Sequence, residues 1–164
     1  TTTTLSKRQA LEMISMAQVD GAYVRPDQSI GWRASLASVA SGLAVLVALP
    51  AEARDRALAD IPHDDASEKR RRRRVDMALR EYASHGIVSY RHEQRGGAFT
   101  AVAIPLFEDG AEPRDQWALS CGSIAGLWDE ASLARAGEAL KRARALLQPA
   151  LSALEAVSLG KRAG

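Results

Sequence analysis

Among the hydrophobic and polar positions of the chain, two early stretches, Thr1 to Lys7 and Leu11 to Val19, stand out as rich in the β-prone residues Thr, Ile, Met and Val. The short polar link Arg8-Gln9-Ala10 between them predicts a β-hairpin. Asp20-Gly21 breaks the second strand, and the connection from Tyr23 to Ile30 has room for a short strand at Ala22 to Arg25. The pattern then changes. Leu36, Val39, Ala40, Leu43, Leu46 and Val47 recur at helical spacing, with Ser35 placed to cap the helix. Leu49-Pro50 ends it, and Pro50 suits the first turn of a second short helix, Pro50 to Ala59. A third helix is capped by Ser67, carries the stripe Val75, Ala78, Leu79 and Tyr82, and closes at His85 and Gly86. Strands follow at Ile87 to Arg91, along Arg95 to Phe107, and at Gln116 to Ile124. A final helix runs from about Asp129 to Val157 on a leucine stripe. The pattern predicts an α+β domain with an antiparallel sheet of about five or six strands flanked by helices.

Two of these strands have unequal faces. From Phe99 to Ile104 the run is continuously apolar, as in a strand buried on both sides. Phe99, Ala101 and Ala103 point one way, and Thr100, Val102 and Ile104 the other. In the last strand Ala118, Ser120 and Gly122 form a face of very small residues. Such faces have two physical uses: they let a helix approach closely, or they leave a hollow.

Composition narrows the classes. The chain has 164 residues, enough for one domain, and 46% of them are hydrophobic. A net charge of +2 favours no particular polyanion. The single cysteine, Cys121, excludes a disulfide framework and points to a reducing, cytoplasmic setting. No uncharged apolar run is long enough to cross a membrane, so no membrane partner is expected. The chain opens on TTTTLSKR without Met, as a fragment of something longer would.

Chemistry-bearing residues are sparse. The basic run Lys69 to Arg74 covers every angle around its helix and reads as a solvated face. His63, His85 and His92 lack ligand spacing, so no metal or other cofactor is expected. Cys121 reads as a structural thiol, having no indicated base. Gln94-Arg95-Gly96-Gly97 reads as a turn, not a phosphate loop. Arg91 shares the parity of Ile87 and Ser89. Pointing inward, it needs a carboxylate, supplied either by Glu93 or by a ligand acid.

Three blocks in order resemble the effector-binding domain of IclR-type transcriptional regulators. Ile30 to Pro50, IGWRASLASVASGLAVLVALP, resembles the family's IGxxLPxHATAxGKALLAxLP. Leu79 to Val88, LREYASHGIV, resembles LxxIRxxGYA, and continues through Glu93 to the Ala-Ile-Pro-Leu-Phe at 103–107. Trp117 to Ser123, WALSCGS, resembles xAALSVSGP. The resemblance implies a GAF-like fold and a single effector-binding domain over residues 1–160, without the winged helix-turn-helix that carries DNA binding. It implies a non-enzymatic sensor of a small molecule that forms a homodimer or homotetramer and meets operator DNA only through the missing domain.

The family's ligand lies between the sheet and the helix of the first block. By position its wall would be Tyr23, Pro26, Ala40, Ser41, Phe99, Ala101, Ser120 and Gly122, with Arg91 as a partner for a carboxylate on the effector. This chain departs from the family at the helix start, where His-Ala-Thr is replaced by Ala37-Ser38-Val39, and at the strand cysteine, which is Ala101. The competing readings are a purely structural dimerisation domain, with the small-residue faces packed shut, and an enzyme acting on small molecules.

Overall fold

A computed structural model describes residues 1–21, 29–62, 65–94 and 97–160. The chain runs through β1 (Thr2–Gln9), β2 (Glu12–Asp20), β3 (Arg33–Ser35), α1 (Ala40–Ala48), α2 (Ala51–Ala59), α3 (Asp65–His85), β4 (Val88–Gln94), β5 (Gly97–Pro105), β6 (Trp117–Ile124) and α4 (Glu130–Gly160). The six strands form one antiparallel sheet in the order β3-β2-β1-β6-β5-β4. This is the expected α+β architecture. The first hairpin forms as predicted, with Ala10 at a positive φ in its turn and a bulge in β2 opposite Leu5 and Ser6. The strand expected at Ala22 to Arg25 and the core of the Gly-Gly turn lie outside the described residues.

The two faces of β5 bury different layers. Val102 and Ile104 pack with Leu119, Leu140 and the apolar side of α4. Ala103 and Ala118 pack with α1, every residue of which is buried. The helix reaches the sheet closely because these positions carry only methyl groups. Outside it lies α3, which supplies Val75 and Ala78. No helix among the described residues is long and apolar enough to cross a membrane.

Element ends moved where tertiary contacts outweighed local signals. Ser35 does not cap α1; it closes β3, opposite Glu12. The helix begins five residues later, behind Val39, which offers no side-chain cap. The intervening turn buries Leu36 and Ala37 and folds against the first turn of the helix. Gly42 permits this, because a methyl group there would overlap the Leu36 carbonyl oxygen. Helix α3 starts at Asp65, before the expected Ser67 cap. At its other end Gly86 takes φ +68 and donates its N–H to the Tyr82 carbonyl at 2.8 Å, the glycine stop the sequence predicted. Asp129 caps α4 by accepting the Ser132 N–H at 2.8 Å, and hydrogen bonding by the Ser132 side chain, then by its backbone, holds the carboxyl below the usual range.

Candidate functional site

Along β5 the small face changes use. At Ala103 it is fully covered by α1, but towards Phe99 the helix has ended and the floor is open. A cavity of about 60 Å³ remains there. Its floor is Ala101 and Phe99 of β5 and Ser120 of β6; Ala40 and Ser41 of α1 overhang it. β1 adds Thr4 and Ser6, β2 adds Ser15, and β4 adds Tyr90. Trp32 and Val39 complete the rim. The polar lining is hydroxyl: two threonine or serine side chains from β1, one serine each from β2, β6 and α1, and one phenol. No carboxylate, imidazole, thiol, ammonium or guanidinium lines it among the described residues.

Two features leave hydrogen bonds on offer. The opening N–H groups of a helix have no intrahelical acceptor, and Val39 provides none. Ser15 is 4% exposed, and its Oγ has no hydrogen-bond partner. The backbone around Ser15 is fixed: its N–H donates to the Trp32 carbonyl at 2.9 Å, and its carbonyl accepts from the Gly31 N–H at 2.7 Å. The hydroxyl is therefore held in place beside an empty space. Ser120 Oγ, by contrast, donates to the Thr4 carbonyl at 3.5 Å. Aligned peptide dipoles make the α1 N-terminus a favourable place for negative charge.

The structure brings together Ala40, Ser41, Phe99, Ala101 and Ser120. Gly122 sits opposite Ala101 on the same face, further out, and is not in the lining. Tyr23 and Pro26 lie outside the described residues. Arg91 is a correction. It pairs with Thr100 and so takes the α4 side of the sheet, where it is exposed. Tyr90, paired with Ala101, is the residue of β4 that faces the cavity. One residue of register separates the two, and in a strand that step reverses the face.

Sequence reasoning missed Thr4, Ser6 and Ser15 as wall residues. Their signal was available: hydroxyls at alternating positions of a hairpin whose other face carries Leu5 and Ile14. Among the described residues no group of three or more His, Cys, Asp and Glu side chains could hold a metal ion.

The fold, a six-stranded antiparallel sheet with a long C-terminal helix, is similar to that of solved IclR-family transcriptional regulators. The chain superimposes on the IclR family regulator from Brucella abortus with a TM-score of 0.74 and 21% identity, over 92% of this chain and 56% of that one. The IclR of Thermotoga maritima gives 0.74 and 20%, over 92% and 61%. A double mutant of the PobR inducer-binding domain from Acinetobacter, in complex with 3-hydroxybenzoic acid, gives 0.66 and 16%, over 90% and 87%. The chain thus spans little more than half the length of the first two proteins and most of the length of the isolated inducer-binding domain. No protein-family model matches the chain, and no curated relative does.

Proposed function

We propose that this chain is the effector-sensing domain of an IclR-type transcriptional regulator, and that its effector is a small carboxylic acid seated at the N-terminus of α1. The observation that carries the reading is Ser15, a buried hydroxyl without a partner beside an uncapped helix start and an empty cavity. An anion accepting from Ser15 Oγ and the first α1 amides would satisfy all of them. The neutral, hydroxyl-rich wall suits one negative charge and a short apolar body lying on Ala101 and Phe99. Without rearrangement the volume holds roughly four or five waters, comparable to an acid of about two to four carbons. A hydroxybenzoate, the size of ligand held by the Acinetobacter domain, requires the Trp32 turn to shift. Self-association as a dimer or tetramer, and operator binding through a separate winged helix-turn-helix, belong to the same proposal. Its support is that the Brucella and Thermotoga chains extend well beyond the part this chain covers.

The reading is tested by thermal-shift and calorimetric titration with monocarboxylates of increasing size, from acetate to 4-hydroxybenzoate. Binding raises apparent stability by mass action, so the expected result is a saturable rise in Tm. Ser15→Ala should weaken the acid by about tenfold or more, the size of one hydrogen bond to a charged group. If no acid stabilises the chain, the purely structural reading takes its place. Turnover of any acid would favour the enzyme reading.

A further inference from the structure

A second cavity, of about 250 Å³, lies on the far side of the turn that precedes α1. It opens between that turn and the basic run of α3. Six consecutive helical residues span more than a full turn, so some must face inward. Arg71 and Arg74, three apart, share that inner face. Arg71 is only 8% exposed. Its Nη1 donates to the Ile61 carbonyl at 3.3 Å, while its Nε is buried without an acceptor. No carboxylate among the described residues pairs with it. Arg74 donates to the Ala37 carbonyl at 2.8 Å and lies 4.8 Å from the centre of the Tyr90 ring. Arg70, at the mouth, donates to Ser67 Oγ at 3.2 Å. The hydroxyl-bearing residues Ser35 and Ser38 line the opposite wall.

A buried guanidinium that meets one carbonyl and, among the described residues, no counter-charge is an expensive group, and proteins rarely keep one without a partner. We propose that this cavity is an anion site for a phosphate group, free or borne by a small molecule. Three arginines line it, and a guanidinium's planar fork matches phosphate oxygens two at a time. A monocarboxylate would leave most of the positive charge unanswered; a phosphate dianion answers more of it. The concavity and the burial of Arg71 fit a small ligand better than a nucleic-acid backbone, which would meet the exposed Lys69, Arg72 and Arg73 instead. The inference is independent of the carboxylate pocket, so each can fail without the other.

The test is calorimetric titration of the 164-residue chain with inorganic phosphate and, separately, with glycerol phosphate, ionic strength being held constant with chloride. Saturable binding at one site is expected. Arg71→Met, uncharged and of similar length, should weaken it by about tenfold or more. In the absence of phosphate this variant should be at least as stable as the parent, because a buried unpaired charge has been removed. Arg70→Gln alters an exposed side chain, keeps the fold, and should also lose affinity; Arg73→Gln, outside the cavity, should not. Tighter binding of glycerol phosphate identifies an ester ligand and tighter binding of the inorganic ion a free one, and either supports the site. Absence of saturable binding, affinity unchanged in both Arg71→Met and Arg70→Gln, or binding of duplex DNA without binding of phosphate overturns it.

Discussion

Tyr82 joins three segments through one oxygen. Its hydroxyl donates to Asp109 Oδ1 at 2.7 Å and accepts from Arg144 Nη1 at 3.0 Å, and Arg144 Nη2 reaches the Phe107 carbonyl at 2.9 Å. Burial, then the hydrogen bond to Asp109, pushes the phenol up to about 12, against the opposing pull of Arg144. The folded state therefore holds this proton more tightly than the unfolded chain, where a tyrosine titrates near 10. The resulting stability is fully present below about pH 10 and is lost as pH rises towards 12. Because the group is half exposed, the contribution is discounted to the order of 1 kcal/mol. Urea denaturation of Tyr82→Phe beside the parent from pH 9 to pH 12 should show the difference between them shrinking over that window; a constant difference would refute the linkage.

Single residues also show where sequence reasoning stops. That Phe99 and Ala101 share one face of their strand, and Ser120 the small-residue face of the last, was legible because strand parity is a local property; that this face is hollow was only what the family resemblance implied. The side Arg91 takes was not legible, because which parity faces which layer depends on register with β5. Ser15 was hidden for another reason: a serine in a strand is ordinary until the structure shows that no acceptor reaches it.

Helix α1 decides whether a sheet face of small residues is packed or hollow. The sequence showed its apolar recurrence and its small positions, but placed its start at Ser35. A late start is what leaves Phe99, Ala101 and Ser120 uncovered; a helix beginning at Ser35 would lie across them. The signal missed was a competing use of the same residues, since the backbone of 33–35 is taken by pairing with β2. That pairing is a long-range contact with no local pattern in three residues. Gly42 is the hinge of the arrangement, because the Leu36 carbonyl occupies the space a side chain would need. Glycine within a helix ordinarily costs stability, so alanine would be expected to help on propensity alone, by up to about 1 kcal/mol. Here the overlap wins. Gly42→Ala should destabilise the chain by roughly 1–3 kcal/mol, the range for forced overpacking, as read from the urea midpoint. It should also weaken acid binding by displacing the first α1 amides. A Gly42→Ala chain as stable as the parent would mean that the 36–42 turn relaxes freely.

On the scale of the whole molecule, the order of elements was legible from changes in hydrophobic period, and the single antiparallel sheet followed from it. What no period could reveal is that two cavities share a wall. The turn 35–38 backs the arginine cavity, while Val39, Ala40 and Ser41, next along the chain, line the hydroxyl cavity. Arg74 reaches across the same wall, with one side in the arginine cavity and its guanidinium over the ring of Tyr90, which faces the other. A phosphate that engages Arg74 would draw it from that ring and from the Ala37 carbonyl, removing a cation–π contact of roughly 0.5–2 kcal/mol. Tyr90 and the start of α1 would then hold a different position in the acid site. Coupling between two binding sites is reciprocal, so each ligand must alter the affinity of the other by the same factor. A factor of at most roughly 2 to 30 is expected from a single contact of this strength. Titration of a bound acid with and without saturating phosphate, and the converse experiment, should return that one factor twice. Tyr90→Leu, which removes the ring but keeps an apolar wall, should bring it to unity while both ligands still bind. Two ligands that bind the parent chain with wholly independent affinities would show that the shared wall is rigid and that Arg74 stays where the structure places it.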